Sequence, residues 1–187
     1  MSSGTFGIQI AGERGELYVF GELLKRGAVS YVPLVDEGVD ALVRTPEGAV
    51  IEIQVKSAGS DGGKSGRWFQ MGQIKPRKNF MIVGVEFDQG DPKCAWVFPS
   101  IIFDKYASAP PKGSPRDLNL DSGIRKYGML LKDLLCGFRN RWELIVEFPK
   151  FEGLIDSPEN LEDLLTMREA EESVDESIRL KDYERGR

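Results

Sequence analysis

Histidine is absent from the 187 residues of this chain, and cysteine occurs only twice, as Cys94 and Cys136. Without histidine, the sequence excludes Ser-His and Cys-His catalysis, the usual zinc sites and nuclease mechanisms that rely on an imidazole. The two cysteines lack the paired spacing of a metal site, and we interpret them as reduced, buried thiols of a cytoplasmic protein. Any catalysis must therefore use carboxylates, lysine and a cation that prefers oxygen ligands.

Long apolar runs are also missing from the sequence. No stretch approaches the roughly 20 apolar residues of a membrane span, and the N-terminal segment has neither the basic nor the apolar region of a signal peptide. The hydrophobic content of 41% is ordinary, and the chain is long enough for one domain with a substantial core. We therefore expect a cytoplasmic protein that makes no use of a membrane.

Negative charge is concentrated at the C-terminal end. Residues 152–187 carry 12 acidic and 5 basic side chains, whereas residues 1–151 carry 18 acidic and 20 basic side chains. This change predicts a folded domain over residues 1–151 and an acidic extension over residues 152–187. Ser157 followed by Pro158 is typical of a helix start, so the extension is either an exposed helix or a disordered tail. It is either a solvated segment or one that mimics nucleic acid or binds a protein partner.

The hydrophobic pattern predicts a helix over residues 10–27, which ends at Gly27. Strands are predicted for residues 28–34, 39–45, 49–57, 67–71, 79–87 and 94–99, with a hairpin between the second and the third and a turn over residues 88–93. Ser100 is predicted to cap a short helix, and residues 129–148 are predicted to hold one or two helical segments.

Polar and apolar side chains alternate along the third predicted strand. Because a strand points alternate side chains to opposite faces, Glu52, Gln54 and Lys56 share one face. Asp40 lies at the preceding strand and adds a carboxylate nearby, and Glu16 lies on the inward stripe of the first helix. A helix glutamate, a strand aspartate and a Gln-x-Lys motif are the residue types that metal-assisted phosphodiester hydrolysis requires.

Each of these residues has a chemical role that it can fill. Asp40 is the natural carboxylate ligand of a cation, Gln54 can donate its carboxamide oxygen, and Val55 can donate its backbone carbonyl. Glu16 can complete the ligand shell or bind a second cation. Lys56 can orient the attacking water or stabilise charge on the phosphate. Mg²⁺ suits such a sparse oxygen site because it keeps several waters, and Mn²⁺ is the other candidate.

Each residue also has a purely structural alternative. Asp40 can serve turn geometry, and Glu16 can complement the helix dipole. Lys56 can be a charge at the end of a strand, and Gln54 can form hydrogen bonds across the sheet. Glu52 is a secondary candidate, because by strand rise it lies about 7 Å from Gln54.

A basic stretch follows the third strand. From Lys56 to Lys78 the chain has six basic residues and one acidic residue, Asp61. Basic side chains follow a phosphate backbone, and aromatic side chains stack on bases, although the alternative is a solvated loop beside a core strand. The candidate nucleic-acid-binding residues are Lys64, Arg67, Trp68, Lys75, Arg77 and Lys78.

Three stretches within residues 10–57 carry a resemblance to a known family: GERGELYVFGELLKRG, VDEGVDALVR and AVIEIQVKS. They resemble the core of the PD-(D/E)XK nuclease superfamily, above all the Mrr-like restriction endonucleases and archaeal Holliday-junction-resolvase-like proteins whose third motif is Gln-x-Lys. By this resemblance Glu16 corresponds to the first-helix glutamate, Asp40 to the metal-binding aspartate, and Gln54 and Lys56 to the third motif.

The resemblance implies an α/β fold with a restriction-endonuclease-like αβββαβ core, in which helices flank a mixed central sheet, here followed by a C-terminal helical extension. It also implies a Mg²⁺-dependent endonuclease that hydrolyses DNA phosphodiester bonds, and cleavage of both strands would favour a homodimer. Gln54 stands where the family usually has an acid. The alternative is therefore a catalytically inactive nuclease-fold module that binds nucleic acid or a protein partner.

Overall fold

The computed structural model describes residues 3–35, 38–58, 66–72, 75–108 and 115–155, with side chains from residue 10 onwards. In chain order the elements are α1 (Ser3–Lys25), β1 (Val29–Tyr31), β2 (Ala41–Arg44), β3 (Val50–Ala58), β4 (Trp68–Met71), β5 (Phe80–Asp88), β6 (Asp91–Pro99), α2 (Ser100–Tyr106), β7 (Arg116–Asn119), β8 (Arg125–Lys126), β9 (Met129–Leu130), α3 (Leu131–Leu134), α4 (Glu143–Val146) and α5 (Phe148–Ile155). A short 3-10 helix, Cys136–Phe138, lies between α3 and α4. Within these ranges no helix is long and apolar enough to cross a membrane.

Five strands form a mixed central sheet in the order β1-β2-β3-β5-β6. Strands β1, β2 and β3 pair antiparallel, β3 and β5 pair parallel, and β6 returns antiparallel to β5. Strand β5 is buried on both faces from Phe80 to Phe87, as expected for a central strand that is covered on both sides. The predicted α/β class, with helices flanking a mixed central sheet, is confirmed.

Helix α1 packs on one face of this sheet. Val19 and Leu23 of the helix are fully buried, and Ile51 and Ile53 of β3 are buried as well. A Cβ atom at Gly15 would collide with the Ser57 hydroxyl, and that hydroxyl donates a hydrogen bond of 3.0 Å to the Ala11 carbonyl. The first half of α1 is therefore held against the C-terminal end of β3.

The opposite face is covered by α2 and by a two-stranded ribbon of β4 and β7. Phe69 of β4 is fully buried, and its ring contacts Gly84 so closely that a Cβ there would lie 2.6 Å from a ring carbon. The ring centroid of Phe98 lies 6.4 Å from that of Phe69 and 6.2 Å from that of Phe103 in α2. Because Gly84 is paired with Lys56, the ribbon lies beside the end of β3 that holds Lys56.

The connection from β3 to β5 differs from the αβββαβ pattern that the resemblance implies. That pattern places a helix after the third strand. The described residues of this connection contain strand β4, and the next helix, α2, comes only after β6. The segment Trp68–Met71 alternates exposed and buried side chains and is rich in aromatics, which favours a strand over a helix. The strand predicted for residues 67–71 is therefore confirmed, but it lies outside the central sheet.

The predicted capping role of Ser100 is wrong. Pro99 precedes α2, no side chain caps the helix, and Ser100 is its first helical residue. Its hydroxyl accepts a hydrogen bond from the Arg77 amide at 3.0 Å and donates one to the Arg77 carbonyl at 2.9 Å. The hydroxyl is fully buried, so it binds two backbone groups of the loop before β5 instead of the helix terminus.

Two other segments, a turn and a helical region, also differ from the sequence prediction. The turn expected over residues 88–93 is only two residues long, because Gln89 and Gly90 both have positive φ and Asp91 already pairs with Asp88. The helical region 129–148 is broken into three short helices. Asn140, also at positive φ, hydrogen-bonds both the amide and the carbonyl of Ala95, which docks this region on the edge of β6 and interrupts the helix.

Helix α5, Phe148–Ile155, runs across the boundary predicted between residues 151 and 152. Phe151 and Ile155 are both buried, so the last turn of α5 belongs to the folded core. Residues 156–187, including the predicted helix start at Ser157, lie outside the described residues, and the division into a domain and an acidic extension stays a prediction.

Candidate active site

Strand β2 stops pairing with β3 well before β3 ends. The last pair joins Ala41 to Ile53, whereas β3 continues beside β5 as far as Ala58. Asp40 fills the next position: its amide donates to the Ile53 carbonyl at 2.9 Å, and its carboxylate Oδ2 accepts from the Val55 amide at 2.6 Å. A carboxylate is therefore fixed at the point where the two strands diverge.

The carbonyl of Val55 lies at the same edge of β3 as the Asp40 carboxylate. In a strand the amide and the carbonyl of one residue point towards the same neighbour, which is why paired residues exchange both bonds. Since the Val55 amide points to Asp40, its carbonyl oxygen points to the β2 side as well, beyond the last β2 pair. Two of the predicted oxygen ligands are brought to one edge in this way.

Gln54 connects the loop before β2 to Lys56. Both side chains are half-buried and lie on the face of β3 opposite the Val55 side chain. The hydrogen bonds of the Gln54 carboxamide are satisfied when its nitrogen donates to the Gly38 carbonyl at 3.2 Å and its oxygen accepts from Lys56 Nζ at 3.0 Å. Gly38 has φ of +83°, a left-handed conformation that glycine adopts without strain.

Glu16 is half-buried on α1, directly after Gly15, which contacts Ser57. Successive helical residues are rotated by about 100°, so Glu16 and Arg14 lie on opposite flanks of the helix. Arg14 forms an ion pair of 2.8 Å with Asp91 of the edge strand β6. The flank that carries Glu16 therefore points to the β2 side of the sheet, where Asp40 lies.

Glu52 and Arg77, both predicted site residues, form an ion pair with each other. The guanidinium of Arg77 also lies 4.4 Å from the ring centroid of Phe80 and donates to the Lys75 carbonyl at 3.2 Å. The pair joins β3 to the loop before β5. The sequence carries no local signal for it, because it depends on the parallel register of the two strands.

The other basic candidates differ in their surroundings. Arg67 binds Asp121 through both its amide and its guanidinium. Burial raises the pKa of Asp121, but the hydrogen bonds from Arg67 outweigh this effect and hold that pKa below its ordinary value. The indole of Trp68 is 52% exposed. Lys75 and Lys78 are exposed, and Lys64 lies outside the described residues.

The donor atoms at this site are hard oxygens of different kinds. Within the described ranges, no group of three or more His, Cys, Asp or Glu residues is placed to hold a metal ion. The candidate ligands are instead the Asp40 carboxylate and the Val55 carbonyl, which lie at one edge of β3, and the Gln54 carboxamide of the adjacent residue. This set fits Mg²⁺ or Mn²⁺ held together with waters, because Mg²⁺ takes few protein ligands.

No family model matches the chain, and no curated protein matches its sequence. Among solved structures, the chain is similar to a bacterial homing endonuclease, I-Ssp6803I. The TM-score is 0.55 and the sequence identity 18%, over 78% of this chain and 95% of that one. At this level of identity the likeness concerns the fold, and the protein has an endonuclease-like α/β fold.

Proposed function

We propose that this protein is a metal-dependent endonuclease that hydrolyses phosphodiester bonds of DNA. The observation that carries the proposal is the hydrogen bond of 2.6 Å between Asp40 Oδ2 and the Val55 amide, which holds a carboxylate beside the Gln54–Lys56 motif. The likeness of the fold to that of a homing endonuclease supports the proposal independently of the motif.

The residues of the site divide into ligands and a cationic group. Asp40, the Val55 carbonyl and Gln54 would hold the cation, and Glu16 would approach from α1. When bound, Mg²⁺ or Mn²⁺ supplies Lewis-acid polarisation of the scissile phosphate. Lys56, which is hydrogen-bonded to Gln54, would orient the attacking water and stabilise the charge that develops on the phosphate.

The DNA backbone would lie along the basic residues between β3 and β5. Lys75 and Lys78 are exposed and offer ammonium groups to phosphates. Two such sites related by two-fold symmetry would cut both strands of a duplex, so we include a homodimer in the proposal. The acidic extension is proposed as a segment for a protein partner.

A second candidate function is a nuclease-fold module that binds nucleic acid or protein without cleaving it. One observation favours it. Gln54 provides a neutral oxygen where the nuclease superfamily that the chain resembles usually has an acid, and that oxygen accepts a hydrogen bond from Lys56 Nζ. A neutral ligand binds a divalent cation more weakly than a carboxylate does.

The test is cleavage of plasmid DNA and of branched DNA with Mg²⁺ or Mn²⁺ by the wild type, by Asp40→Ala and by Asp133→Ala. Asp133 is an exposed carboxylate on α3 and serves as the matched control. We expect metal-dependent cutting by the wild type and the control, and none by Asp40→Ala. If no protein cuts either substrate, calorimetry with Mn²⁺ decides: binding that is lost in Asp40→Ala supports the metal site, and its absence favours the binding module.

A further inference from the structure

Part of the central sheet is exposed on the face opposite α1. On this face the β4–β7 ribbon and α2 pack mainly on β3, β5 and β6. The side chains of β1 and β2 on the same face are exposed, Tyr31 by 51%, Leu42 by 40% and Val29 by 37%, and so is Val50 at the start of β3, by 53%. Together with Arg44 of β2, these side chains form an open face beside the covered half of the sheet.

The open face is continuous with the candidate active site. Tyr31 is paired with Leu42, and Leu42 with Glu52, so their side chains form a row across three strands. Glu52 shares its face with Gln54 and Lys56, because side chains alternate along β3. From the strand spacing of about 4.8 Å and the strand rise, Tyr31 lies about 12 Å from Gln54.

The charge along this row is positive. Arg44 is exposed on the same face of β2, and no group in the described ranges forms an ion pair with it. The carboxylate of Glu52, which lies in the row, is neutralised by its ion pair with Arg77. Lys75, near the N-terminal end of β5, is exposed and adds an ammonium group on the far side of the row. Cations therefore flank the row, where they can contact the phosphates of a strand that crosses it.

Tyr31 is the aromatic side chain of the open face. Its half-exposed ring is next to the aliphatic side chains of Leu42, its cross-strand partner, and Val29, two residues earlier on β1. Exposed aromatic rings on a sheet provide stacking surfaces for nucleic-acid bases, and stacking accepts any base because every base has a flat face. In a duplex those flat faces are covered by neighbouring base pairs, so the ring is suited to an unpaired base.

We propose that the open face binds an unpaired stretch of a DNA strand next to the scissile phosphate, with one base on Tyr31 and phosphates near Arg44 and Lys75. The substrate class is therefore DNA with a single-stranded tail or a branch. At the rise of 3.4 Å per nucleotide of a stacked strand, about 12 Å corresponds to about three to four nucleotides. The proposal rests on the proposed function in taking DNA as the substrate and the Gln54–Lys56 motif as the place of the scissile phosphate.

The position of the open face also predicts a polarity. It lies on one side of the Gln54–Lys56 motif, towards β1, so a strand that leaves the motif across it runs in one direction. Because the two ends of a DNA strand differ, we expect a tail at one end, 5′ or 3′, to be preferred over a tail at the other.

The test is fluorescence anisotropy without divalent metal on a short labelled duplex. The duplex is blunt, or it has a tail of about eight thymine nucleotides at the 5′ or the 3′ end, long enough to cross the face. We expect one tailed duplex to bind more tightly than the blunt one. Tyr31→Ala should weaken binding of that duplex by roughly 5- to 150-fold, the range for loss of one stacked base, whereas Tyr31→Phe should keep most of the affinity. Tyr127→Ala removes a tyrosine that is 77% exposed in the β8–β9 hairpin and should bind as the wild type does.

Arg44→Gln tests the phosphate contact. We expect the plot of log K against log salt for the tailed duplex to become shallower by about 0.7, the value for one phosphate contact on a single strand. Arg125→Gln, at an exposed arginine of β8, should keep the slope of the wild type. Equal slopes for the two variants would overturn the placement of the strand beside Arg44.

The possible outcomes separate the inference from the proposed function. If all three duplexes bind equally, or if Tyr31→Ala binds the tailed duplex as Tyr127→Ala does, the inference is overturned even if the protein cleaves DNA. If the preference for a tail depends on Tyr31 but no protein cleaves DNA, the binding face stands and the nuclease does not.

Two further measurements test the occupant of the open face. In sedimentation equilibrium, a wild-type dimer that dissociates in Tyr31→Ala, with the preference for a tail unchanged, would assign the face to a second copy of the chain and overturn the inference. The same duplex with a tail of RNA tests the source of the strand. Tighter binding of the RNA tail than of the DNA tail, with the same dependence on Tyr31, would overturn DNA as the occupant.

Discussion

The carboxylate of Asp40 accepts a hydrogen bond of 2.6 Å from the amide of Val55, so Asp40 has a structural role as well as a proposed role as ligand. Asp40→Ala removes the partner of a partly buried amide, and we expect it to lower the free energy of unfolding by about 1–3 kcal/mol. Asp40→Asn keeps an oxygen acceptor but loses the charge, so it should cost less stability while still losing metal binding. Urea denaturation and Mn²⁺ calorimetry measure the two effects, and Mn²⁺ affinity in Asp40→Asn equal to that of the wild type would exclude Asp40 as a ligand.

The strands of the central sheet are predictable from the sequence because their pattern is local. Ile51, Ile53 and Val55 are buried and the polar residues between them are half-buried, which is the alternation that the sequence displays. The hairpin of β2 and β3 was predicted in the same way, from two strand patterns separated by a short turn. The proximity of Asp40 to the Gln54–Lys56 motif follows directly from this hairpin.

The long-range pairings could not be predicted from the sequence. The ribbon joins Trp68 to Asn119, and the segment between them gives no local sign of which strand is the partner. The ion pair of Glu52 with Arg77 likewise depends on the parallel register of β3 and β5. Sequence periodicity indicates which face of a strand is buried, but it does not identify the neighbouring strand.

Glu52 forms an ion pair with Arg77, one of the predicted DNA-binding cations, and replacement of Glu52 should release Arg77. In Glu52→Gln, Arg77 loses its ion-pair partner and becomes able to contact a phosphate. We expect tighter DNA binding, and a plot of log K against log salt that is steeper by about 0.9, the value for one added phosphate contact. Glu152→Gln removes the same charge at an exposed position on α5 and serves as the control. Equal salt slopes for the two variants would show that Arg77 does not reach the DNA.

Gly84 and Phe69 are in such close contact that any side chain at position 84 must displace the ring. We expect Gly84→Ala to lower the free energy of unfolding by about 1–3 kcal/mol, the usual cost of overpacking a core. In Phe69→Leu the ring is gone, so adding Gly84→Ala to that variant should cost less than it does in the wild type. Gly21→Ala, at a helical position with open space around it, should be neutral or stabilising. If the losses in unfolding free energy of Gly84→Ala and Phe69→Leu are additive in chemical denaturation, the ring of Phe69 is not the cause of the overpacking.

The buried thiol of Cys94 predicts a loss of stability at alkaline pH. Burial raises the pKa of this thiol, an effect that the hydrogen bond from Arg139 only partly opposes. The native state therefore keeps a proton that the unfolded chain releases above about pH 8.5, and stability falls as the pH rises beyond that value, by at most about 1.4 kcal/mol per pH unit. Below that pH the thiol is protonated in both states and contributes no pH dependence.

Cys94→Ala should flatten this decline. The expectation that both thiols are buried is wrong for Cys136, which is exposed, so Cys136→Ala should not flatten it. Burial also raises the pKa values of Tyr18 and Tyr106, but the unfolded tyrosine titrates near pH 10, so the interval from about 8.5 to 10 reports mainly on Cys94. Urea denaturation at several pH values in this interval gives the slopes. A decline that is the same in Cys94→Ala and in the wild type would show that the thiol does not cause it.

Gln54→Glu separates the two candidate functions most directly. The new carboxylate can no longer donate to the Gly38 carbonyl, so we expect a loss of about 1 kcal/mol in stability. Its charge should raise the affinity for Mn²⁺ by at least roughly fivefold, because two unit charges at about 4 Å interact by about 1 kcal/mol in water and by about 4 kcal/mol near a protein surface. Gln70→Glu, exposed on β4, adds the same charge away from the ligand set and controls for net charge.

If the wild type is a nuclease, Gln54→Glu should cut at lower metal concentration. If the wild type is a binding module whose metal site lost its acid, the variant should bind Mn²⁺ where the wild type does not. Mn²⁺ affinity equal to that of Gln70→Glu would exclude Gln54 from the ligand set under either function.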